Sequence, residues 1–295
     1  MKIGIDIGGS HIAVGLVDSN VNIVAKKEHD WTNEEKVDLF TSIEEYSKKF
    51  IKQLMEENNA YIESIGIGFP SRNIVDGVVT EYGKTVDLTK ILLTEFNIPT
   101  YIKNDVKCSG ICEKNLGNLK KYDNCIFMTL GTGIGGAYFY KNELVTPNKF
   151  QGFEIGHMII KVDGKLCKYG EYGCFEEYAS MRVFRKEIQE LFNIEKVTSH
   201  KLFEIIEDKE KQMKVDKIIE NYINYLSIGI GNIIKIFEPD AICIGGSFTY
   251  YAPIFMNKLK QKIQEDFKGR SIPEILTAKF ENDAGIIGAA MLQSN

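Results

Sequence analysis

The sequence predicts an α/β fold in which one structural module occurs twice. Apolar strand patterns alternate with helical patterns along the 295 residues, as in folds that pack helices against a sheet. The opening stretch, KIGIDIGGSHIAVGLVDSNVNIVAKK, predicts two strands joined by a glycine turn, followed by a polar turn at 18–20. A similar stretch, CIFMTLGTGIGGAYFYKNELV, spans 125–145 and predicts the same order of elements. The repetition indicates two halves whose glycine turns face a shared cleft.

The segments outside the modules predict the remaining elements. Residues 33–59 carry apolar side chains at helical spacing between lysines and glutamates, which predicts an amphipathic helix. SIGIGFP at 64–70 predicts a buried strand, and a helical pattern at 215–237 precedes another strand, DAICIGGS, at 240–247. The small apolar residues of NDAGIIGAAMLQ at 282–293 favour a helix packed closely against a neighbour. The apolar positions of the first helix are Val37, Phe40, Ile43, Phe50, Ile51 and Leu54.

A polar stretch separates the two predicted halves. GNLKKYDN occupies 117–124, directly before the second module. We therefore predict an N-terminal α/β lobe of residues 1–120, joined by a C-terminal helix at about 284–295, and a C-terminal α/β lobe of residues 121–283.

Composition excludes several classes of partner. The net charge of -5 and the pI near 5.6 argue against nucleic acid, because neutralising phosphates requires a basic face. The amino terminus has an acid at Asp6 and lacks the apolar core of a signal peptide, and no apolar run approaches the ~20 residues that span a bilayer. We therefore expect a cytoplasmic protein that does not contact a membrane. Its six cysteines should be reduced, and only Cys167 and Cys174 lie in a polar, glycine-rich loop.

Three glycine turns, each directly after an apolar strand, carry the strongest chemical signal. They lie at 8–10, 131–136 and 245–247. Glycine lets the backbone approach a phosphate closely, and successive N–H groups form a site for anions. Each turn alone would pass for an ordinary tight turn, but together they favour a nucleotide site. The sequence contains neither GxxxxGK[ST] nor a GxGxxG that opens a helix, which disfavours P-loop and Rossmann sites.

A family resemblance covers nearly the whole chain. GIDIGGS, GIGFP, ND, LGTGIGGA, FEIGHM, GCFEEYAS, PDAICIGGS and DAGIIGAA occur in the order and at about the spacing found in the ROK family of sugar kinases and sugar-responsive repressors. The resemblance implies the actin-like ATPase fold of hexokinase, with two lobes, a duplicated core, and ATP and a sugar meeting in a central cleft. It also implies a homodimer.

By this resemblance, the glycine turns bind ATP. Residues 6–10 look like the first phosphate loop, with Asp6 near magnesium, 131–136 like the second, and 245–247 like the turn that binds adenosine. Mg²⁺ would be held chiefly by ATP oxygens and water. The implied ATP-binding residues are Asp6, Gly8, Gly9, Ser10, Gly131, Thr132, Gly133, Gly135, Gly245 and Gly246.

The resemblance also supplies a candidate base and a sugar site. Asp105 is the candidate general base, since a carboxylate beside the sugar can accept the hydroxyl proton during phosphoryl transfer. Without the family context, the Asn104-Asp105 pair would be interpreted as a turn or helix cap, and Glu176 as part of a solvated surface pair. The implied sugar-binding residues are Asn104, Asp105, Glu154, His157 and Glu176.

The chain departs from the family at two places near this site. After Asp105 the family usually has a small residue and a second Asn, whereas this chain has Val106 and Lys107, and the lysine could reach solvent, sugar or phosphate. An APNL-like segment is replaced by VTEYGKTVDL at 79–88. The candidate specificity residues there are Glu81, Tyr82 and Lys84.

The third departure is in the loop that binds zinc in many relatives. The family motif C-x-C-G-x-x-G-C follows a histidine, and His157, Cys167 and Cys174 match three ligands. Tyr169 occupies the place of the middle cysteine, and a phenol is a poor zinc ligand at neutral pH. Because structural zinc sites normally have four protein ligands, the sequence favours reduced thiols in a loop held by packing of Tyr169 and Tyr172 over bound zinc.

The sequence therefore predicts an ATP-dependent hexose kinase that phosphorylates the sugar 6-hydroxyl, with glucose as the simplest substrate. N-acetylmannosamine is the runner-up, because the altered segment at 79–88 and the bulk of Phe153 could reshape the pocket; allose and fructose also fit. A sugar sensor without catalysis is a further alternative. A repressor is disfavoured, because repressors of the family place a DNA-binding domain before the first phosphate loop, which begins here at Asp6.

Overall fold

Two five-stranded mixed sheets with the same strand order form the framework of the protein. The structure, a computed structural model, describes residues 1–81, 83–146 and 152–293. The chain divides into two compact units. The first comprises Met1–Lys120, Leu144–Gly152 and Asn282–Asn295, and the second comprises Lys121–Glu143 and Phe153–Glu281.

The first unit contains most of its elements in one continuous stretch, and a C-terminal helix completes it. In chain order these elements are β1 (Lys2–Ile7), β2 (His11–Val17), β3 (Ile23–Asp30), α1 (Leu39–Asn58), β4 (Ser64–Phe69), β5 (Ile74–Val75), β6 (Val78–Glu81), β7 (Lys84–Asp87), α2 (Leu88–Phe96), β8 (Thr100–Asn104) and α3 (Asp105–Leu116).

The second unit follows the same plan with more helices. Its elements are β9 (Cys125–Leu130), β10 (Ile134–Tyr140), β11 (Glu143–Leu144), α4 (Glu176–Ala179), α5 (Met181–Phe192), α6 (Ser199–Glu207), α7 (Lys209–Phe237), β12 (Ala241–Gly245), α8 (Ala252–Phe267) and β13 (Glu274–Thr277). The helix that returns to the first unit is α9 (Ala284–Ala290).

The two sheets confirm the predicted duplication. The first has the order β3-β2-β1-β4-β8, and the second has the order β11-β10-β9-β12-β13. In the first, β1 pairs antiparallel with β2 and parallel with β4, which in turn pairs parallel with β8. In the second, β9 pairs antiparallel with β10 and parallel with β12. Both sheets therefore begin with a hairpin whose turn is a glycine turn, as the repeated sequence pattern predicts. A small sheet, β5-β6-β7, accompanies the first.

The first predicted helix begins later than its pattern suggests. Residues 35–38 form a turn of 3₁₀ helix, and α1 begins at Leu39 because the Asp38 side chain accepts a hydrogen bond from the Thr41 backbone N–H. The prediction that Val37 belongs to the apolar face is wrong. It lies before the cap, and its side chain is 86% exposed. Helix α7 is longer than its pattern, because Asp208 caps it in the same way.

Each unit has its own apolar core. Trp31, Phe40 and Phe69 are buried with the strands of the first sheet, and Phe184 and Phe255 are buried beneath the second sheet's helices. All six cysteines are buried as well, including Cys167 and Cys174 of the polar loop. In the part of the chain that the structure describes, no helix is long and apolar enough to cross a membrane.

Helix α9 packs against its neighbours at backbone distance, as the small residues of DAGIIGAA predict. A Cβ added to Gly66 of β4 would overlap the carbonyl oxygen of Ala289, and one added to Gly4 of β1 would overlap that of Ile286. Helix α3 is equally close, because a Cβ on Gly288 would overlap the carbonyl oxygen of Cys108. The whole of α9 is buried. Side chains cannot separate these elements, so the glycines fix how near they lie.

The tight packing of α9 predicts an unequal response to two glycine-to-alanine changes. Gly66→Ala should lower the free energy of unfolding by roughly 3 kcal/mol, because the sheet and α9 must separate to admit a methyl group. Gly231→Ala in α7 is the matched control. Its Cβ would lie 3.6 Å from the Phe267 ring, an ordinary contact, so better helix propensity should raise stability by up to about 1 kcal/mol. Urea unfolding monitored by circular dichroism measures both, and equal effects would contradict this account of the packing.

Candidate active site

The parallel strands of the first unit bring two aspartates close together. Asp6 lies in β1 opposite Gly68 of β4, and Asp105 directly follows β8. A Cβ on Gly68 would lie 3.4 Å from the Asp105 Cα, so the missing side chain lets α3 approach the strand. Because β1, β4 and β8 are parallel, their carboxyl ends share one edge of the sheet, the usual place for ligands in α/β folds.

Asn104 holds the start of α3, and with it Asp105. The Asn104 side-chain oxygen accepts hydrogen bonds from the backbone N–H groups of Val106 at 3.1 Å and Lys107 at 3.3 Å. Its side-chain nitrogen donates to the carbonyl oxygen of Ser71 at 3.3 Å. The carboxamide, which the family resemblance assigns to the sugar, therefore caps the helix that begins with Asp105.

The Asp6 residue is partly buried. It lies against the backbone of Gly285, where an added Cβ would overlap it. Burial and, to a smaller extent, the negative charge of Asp105 together raise the pKa of Asp6 from its ordinary value of 3.8 to about 7. The two carboxylates therefore lie near each other, and ionisation of Asp6 is disfavoured.

The first glycine turn, between β1 and β2, is held from behind by Trp31. The Trp31 indole N–H donates to the carbonyl oxygen of Gly8 at 3.0 Å, and its backbone N–H donates to that of Ser10 at 2.8 Å. The Gly8 N–H donates to the carbonyl oxygen of His11 at 2.8 Å. Gly9 and Ser10 are exposed, and a Cβ on Gly9 would meet nothing within 4 Å. The turn is therefore rigid on its inner side and open on its outer side.

One of the candidate specificity residues connects to the Asp105 helix. Glu81 accepts a hydrogen bond from the Ser71 hydroxyl at 2.7 Å, and the Ser71 carbonyl oxygen accepts the bond from Asn104. Lys84 instead pairs with Asp38 at 2.8 Å on the surface. Tyr82 lies outside the described residues. Ser71 was not predicted as a site residue, since a serine after SIGIGFP belongs to no chemical motif.

Lys107 is buried rather than solvent-exposed. Its side chain is on the inner face of α3, and its residue is 2% exposed. The ammonium group donates a hydrogen bond to the carbonyl oxygen of Gly152 at 2.9 Å. Of the three uses that the sequence left open, contact with solvent is therefore wrong, and the lysine binds the backbone of Gly152.

The second glycine turn, between β9 and β10, is supported by two charged side chains. Glu176 is 8% exposed, and its Oε2 accepts a hydrogen bond from the Ile134 backbone N–H at 2.8 Å. Arg182 donates from Nε to the carbonyl oxygen of Thr132 at 3.2 Å, and its guanidinium pairs with Glu177 at 2.9 Å. The interpretation of Glu176 and Glu177 as a solvated surface pair is therefore wrong. Arg182 places a positive charge beside the turn, and no sequence motif indicated it.

The third glycine turn lies beside the second. Gly245, the last residue of β12, is opposite Thr129 near the end of β9, and Gly135 of β10 is opposite Thr129 on the other side. Gly246 has a φ of +72°, which favours glycine, and a Cβ there would lie 2.9 Å from the carbonyl oxygen of Leu130. The Ser247 hydroxyl is buried and has no hydrogen-bond partner among the described residues. This orphaned hydroxyl suits a turn that binds a polar ligand.

The remaining candidate sugar residues lie near the start of the cysteine loop. Glu154 is exposed, and its carbonyl oxygen accepts a hydrogen bond from the His157 backbone N–H at 3.0 Å. The His157 imidazole packs edge-on against the Tyr169 ring at 4.7 Å between centroids. It also lies with Cys167 and Cys174 in a group whose fourth member, Glu171, sequence analysis missed.

The candidate residues thus form one group in each unit. Asp6, the first glycine turn and Asp105 are in the first unit, and the other two glycine turns with the Glu154–Glu176 segment are in the second. Within each unit, the glycine turns and polar side chains follow strands of the duplicated sheet.

Comparison with known proteins identifies the family. The family model described as the ROK family matches residues 2–295. The glucokinase of Thermotoga maritima is 26% identical over 318 residues, covering 98% of this chain and 96% of that protein. The xylose repressor of Bacillus subtilis is 28% identical over 283 residues, covering 89% of this chain and 68% of the repressor.

A solved structure supports the same relationship at the level of fold. The ROK family glucokinase from Streptomyces griseus, in complex with glucose and AMPPNP, matches with a TM-score of 0.78 and 23% identity, covering 98% of this chain and 97% of that chain. The α/β fold with its two mixed sheets is therefore the actin-like ATPase fold found in ROK hexokinases. Because the family model also spans nearly every residue, the chain belongs to the ROK family.

Proposed function

We propose that the protein is an ATP-dependent hexose kinase that transfers the γ-phosphoryl group to the sugar 6-hydroxyl group, with glucose as its substrate. The observation that carries this proposal is the position of Asp105. It begins a helix that Asn104 caps, and it lies near Asp6 and the first glycine turn at the carboxyl edge of a parallel sheet. The 26% identical relative from Thermotoga maritima is named a glucokinase, which supports the choice of sugar.

Asp105 acts as the general base in this proposal. The 6-hydroxyl oxygen forms a bond to the γ-phosphorus while its proton passes to the Asp105 carboxylate. The bond between the γ-phosphorus and the bridging oxygen breaks, and ADP leaves with that electron pair. The cap on α3 keeps the carboxylate in one place, so the hydroxyl can be aligned before transfer.

The glycine turns hold the nucleotide. Gly9 and Ser10 offer an open backbone turn to phosphate oxygens, while Trp31 keeps that turn rigid. Arg182 adds positive charge at the second turn, and the Ser247 hydroxyl is available at the third. Bound with ATP, Mg²⁺ would neutralise phosphate charge, and Asp6, two residues before Gly8, would assist it.

The sugar contacts involve the second unit. Glu176 uses Oε2 to support the second glycine turn, and a carboxylate has a second oxygen that can accept a sugar hydroxyl. Glu154 and His157 complete the sugar set. Asn104 contributes by positioning Asp105, and Glu81 is connected to it through Ser71.

A coupled assay of ADP production across a panel of hexoses tests the proposed activity. We expect turnover that requires a sugar, highest with glucose and lower with N-acetylmannosamine, allose and fructose. Tight sugar binding without turnover would contradict the kinase and favour a sensor, a role consistent with the relative named a xylose repressor.

Asp105→Asn should lower kcat on the order of 10²- to 10⁴-fold, because the amide cannot accept the hydroxyl proton. Sugar binding, measured by calorimetry, should stay within a few-fold of wild type. Asp76→Asn is the matched control. Asp76 is exposed in a surface turn with a φ of +49°, where asparagine fits well, so its kcat should not change. Near wild-type turnover in Asp105→Asn would remove this residue as the base.

Asp6→Asn should stabilise the protein while lowering its activity. The folded-state pKa of Asp6 is raised to about 7, so the folded state favours the protonated carboxyl group. The stability that this group contributes is fully present below pH 3.8 and is lost as the pH rises through about 7. The variant has no such charge to bury. At pH 8, without nucleotide or magnesium, its free energy of unfolding should therefore exceed that of wild type by roughly 2–4 kcal/mol, the upper figure being the full pKa shift and the lower one allowing for the partial exposure of Asp6.

The pH dependence separates this effect from general repacking. The difference in unfolding free energy between Asp6→Asn and wild type should grow between about pH 4 and pH 7 and then level off. Chemical denaturation at several pH values measures it. A difference that does not change with pH would show that the Asp6 carboxylate does not titrate in this way.

A further inference from the structure

We infer that Glu171 completes a four-ligand zinc site with His157, Cys167 and Cys174. The ligand atoms of these four side chains all lie within 4.8 Å of one another. Three of them match the family's zinc motif, and the position of its fourth ligand is occupied by Tyr169. The fold supplies a different fourth donor, two residues further along the same loop.

The donor spacing suits tetrahedral zinc. With bonds of about 2.0–2.3 Å, ligand atoms around zinc lie at most ~3.8 Å apart. The Cys174 Sγ is already 3.8 Å from the Glu171 Oε2, so the remaining distances require only small side-chain rotations. Imidazole, two thiolates and a carboxylate are all zinc ligands, and together they fill the four positions of a closed structural site.

The histidine supports the same conclusion independently. His157 Nδ1 is buried and has no hydrogen-bond partner within the described ranges. A buried ring nitrogen without a partner costs free energy, whereas neutral imidazole is among the commonest metal ligands. The His157 ring lies with the two cysteines, so a metal bound there gives the histidine a role that no described side chain provides.

Tyr169 supports the site without joining it. Its ring packs edge-on against the His157 imidazole, which orients the imidazole instead of offering a phenolate. Tyr169 is 41% exposed and Tyr172 is 59% exposed, so packing covers only about half of each residue. The alternative favoured by the sequence therefore rests on two side chains that are only partly buried.

Backbone hydrogen bonds within the loop hold the residues that carry the ligand atoms close together. The Cys167 N–H donates to the carbonyl oxygen of Glu171 at 2.8 Å, and the Gly170 N–H donates to that of Cys167 at 3.0 Å. Gly170 has a φ of +87°, as this tight turn requires. At the loop's base, Cys174 forms an antiparallel bridge with Ile159, two residues from His157. Little ordering entropy would be lost on binding zinc, whose role here would be structural.

Metal content and a cobalt-substituted spectrum test this inference without measuring kinase activity. Wild-type protein purified without chelator should contain one zinc per chain. Glu171→Gln should weaken zinc binding at least about tenfold in a competition titration, since loss of even an outer partner costs that much. Glu171→Cys should retain zinc and add thiolate-to-cobalt absorption in the Co²⁺-substituted protein.

Two variants act as matched controls. Asp163→Asn removes one exposed carboxylate from the same loop, outside the donor group, and should not change zinc affinity. Tyr169→Phe removes the phenolic hydroxyl group and should also leave zinc affinity unchanged.

Three outcomes would overturn the inference. These are wild-type protein with free thiols and no zinc, a Cys167–Cys174 disulfide detected by alkylation and mass spectrometry, and zinc affinity unaltered in Glu171→Gln. Each can occur whether or not the protein phosphorylates a sugar.

Discussion

The backbone contact between α9 and the first sheet is the constraint on which the first half of the site depends. Glycines at Gly4 and Gly66 let the helix lie on β1 and β4 with no side chains between them, and Gly288 brings α3 equally close. That closeness encloses Asp6 against Gly285 and keeps Asp105 near it, which is why the pKa of Asp6 is raised to about 7. A wider spacing would admit water and remove this coupling.

The capping of α3 shows how one residue can position a proposed catalytic group without contacting the substrate. Asn104 satisfies two N–H groups at the start of the helix and contacts Ser71, so its carboxamide is engaged before any ligand arrives. Ser71 also binds Glu81, in the segment that departs from the family. The segment at 79–88 and the start of α3 are therefore connected by hydrogen bonds, through which a change at Glu81 can affect the position of Asp105.

In the second unit, charged side chains hold the backbone in place. Glu176 and Arg182 hold the second glycine turn by bonding its backbone, and Glu176 follows Cys174 by two residues. Whatever fixes the cysteine loop therefore also fixes the start of α4. A zinc ion bound by Glu171 and its neighbours would make that end rigid, so the loss of the family's middle cysteine need not loosen the glycine turn.

The features that depend on local patterns could be predicted from the amino-acid sequence alone. Alternation and glycine spacing predicted the duplicated sheets, small residues predicted the close packing of α9, and the ordered motifs predicted the family. These signals are readable because strand periodicity, turn conformation and helix packing each constrain residues that are near one another in the chain.

The features that depend on contacts between residues far apart in the chain became visible only in the folded protein. The burial of Lys107 against Gly152, the support of Thr132 by Arg182 and the approach of Glu171 to His157 join residues whose spacing follows no motif. The prediction for Val37 was wrong because the residue fits a helical pattern but lies before the cap at which the helix begins. A hydrophobic pattern predicts which face of a helix or strand a residue occupies, but the packing of the elements determines which residues that face contacts.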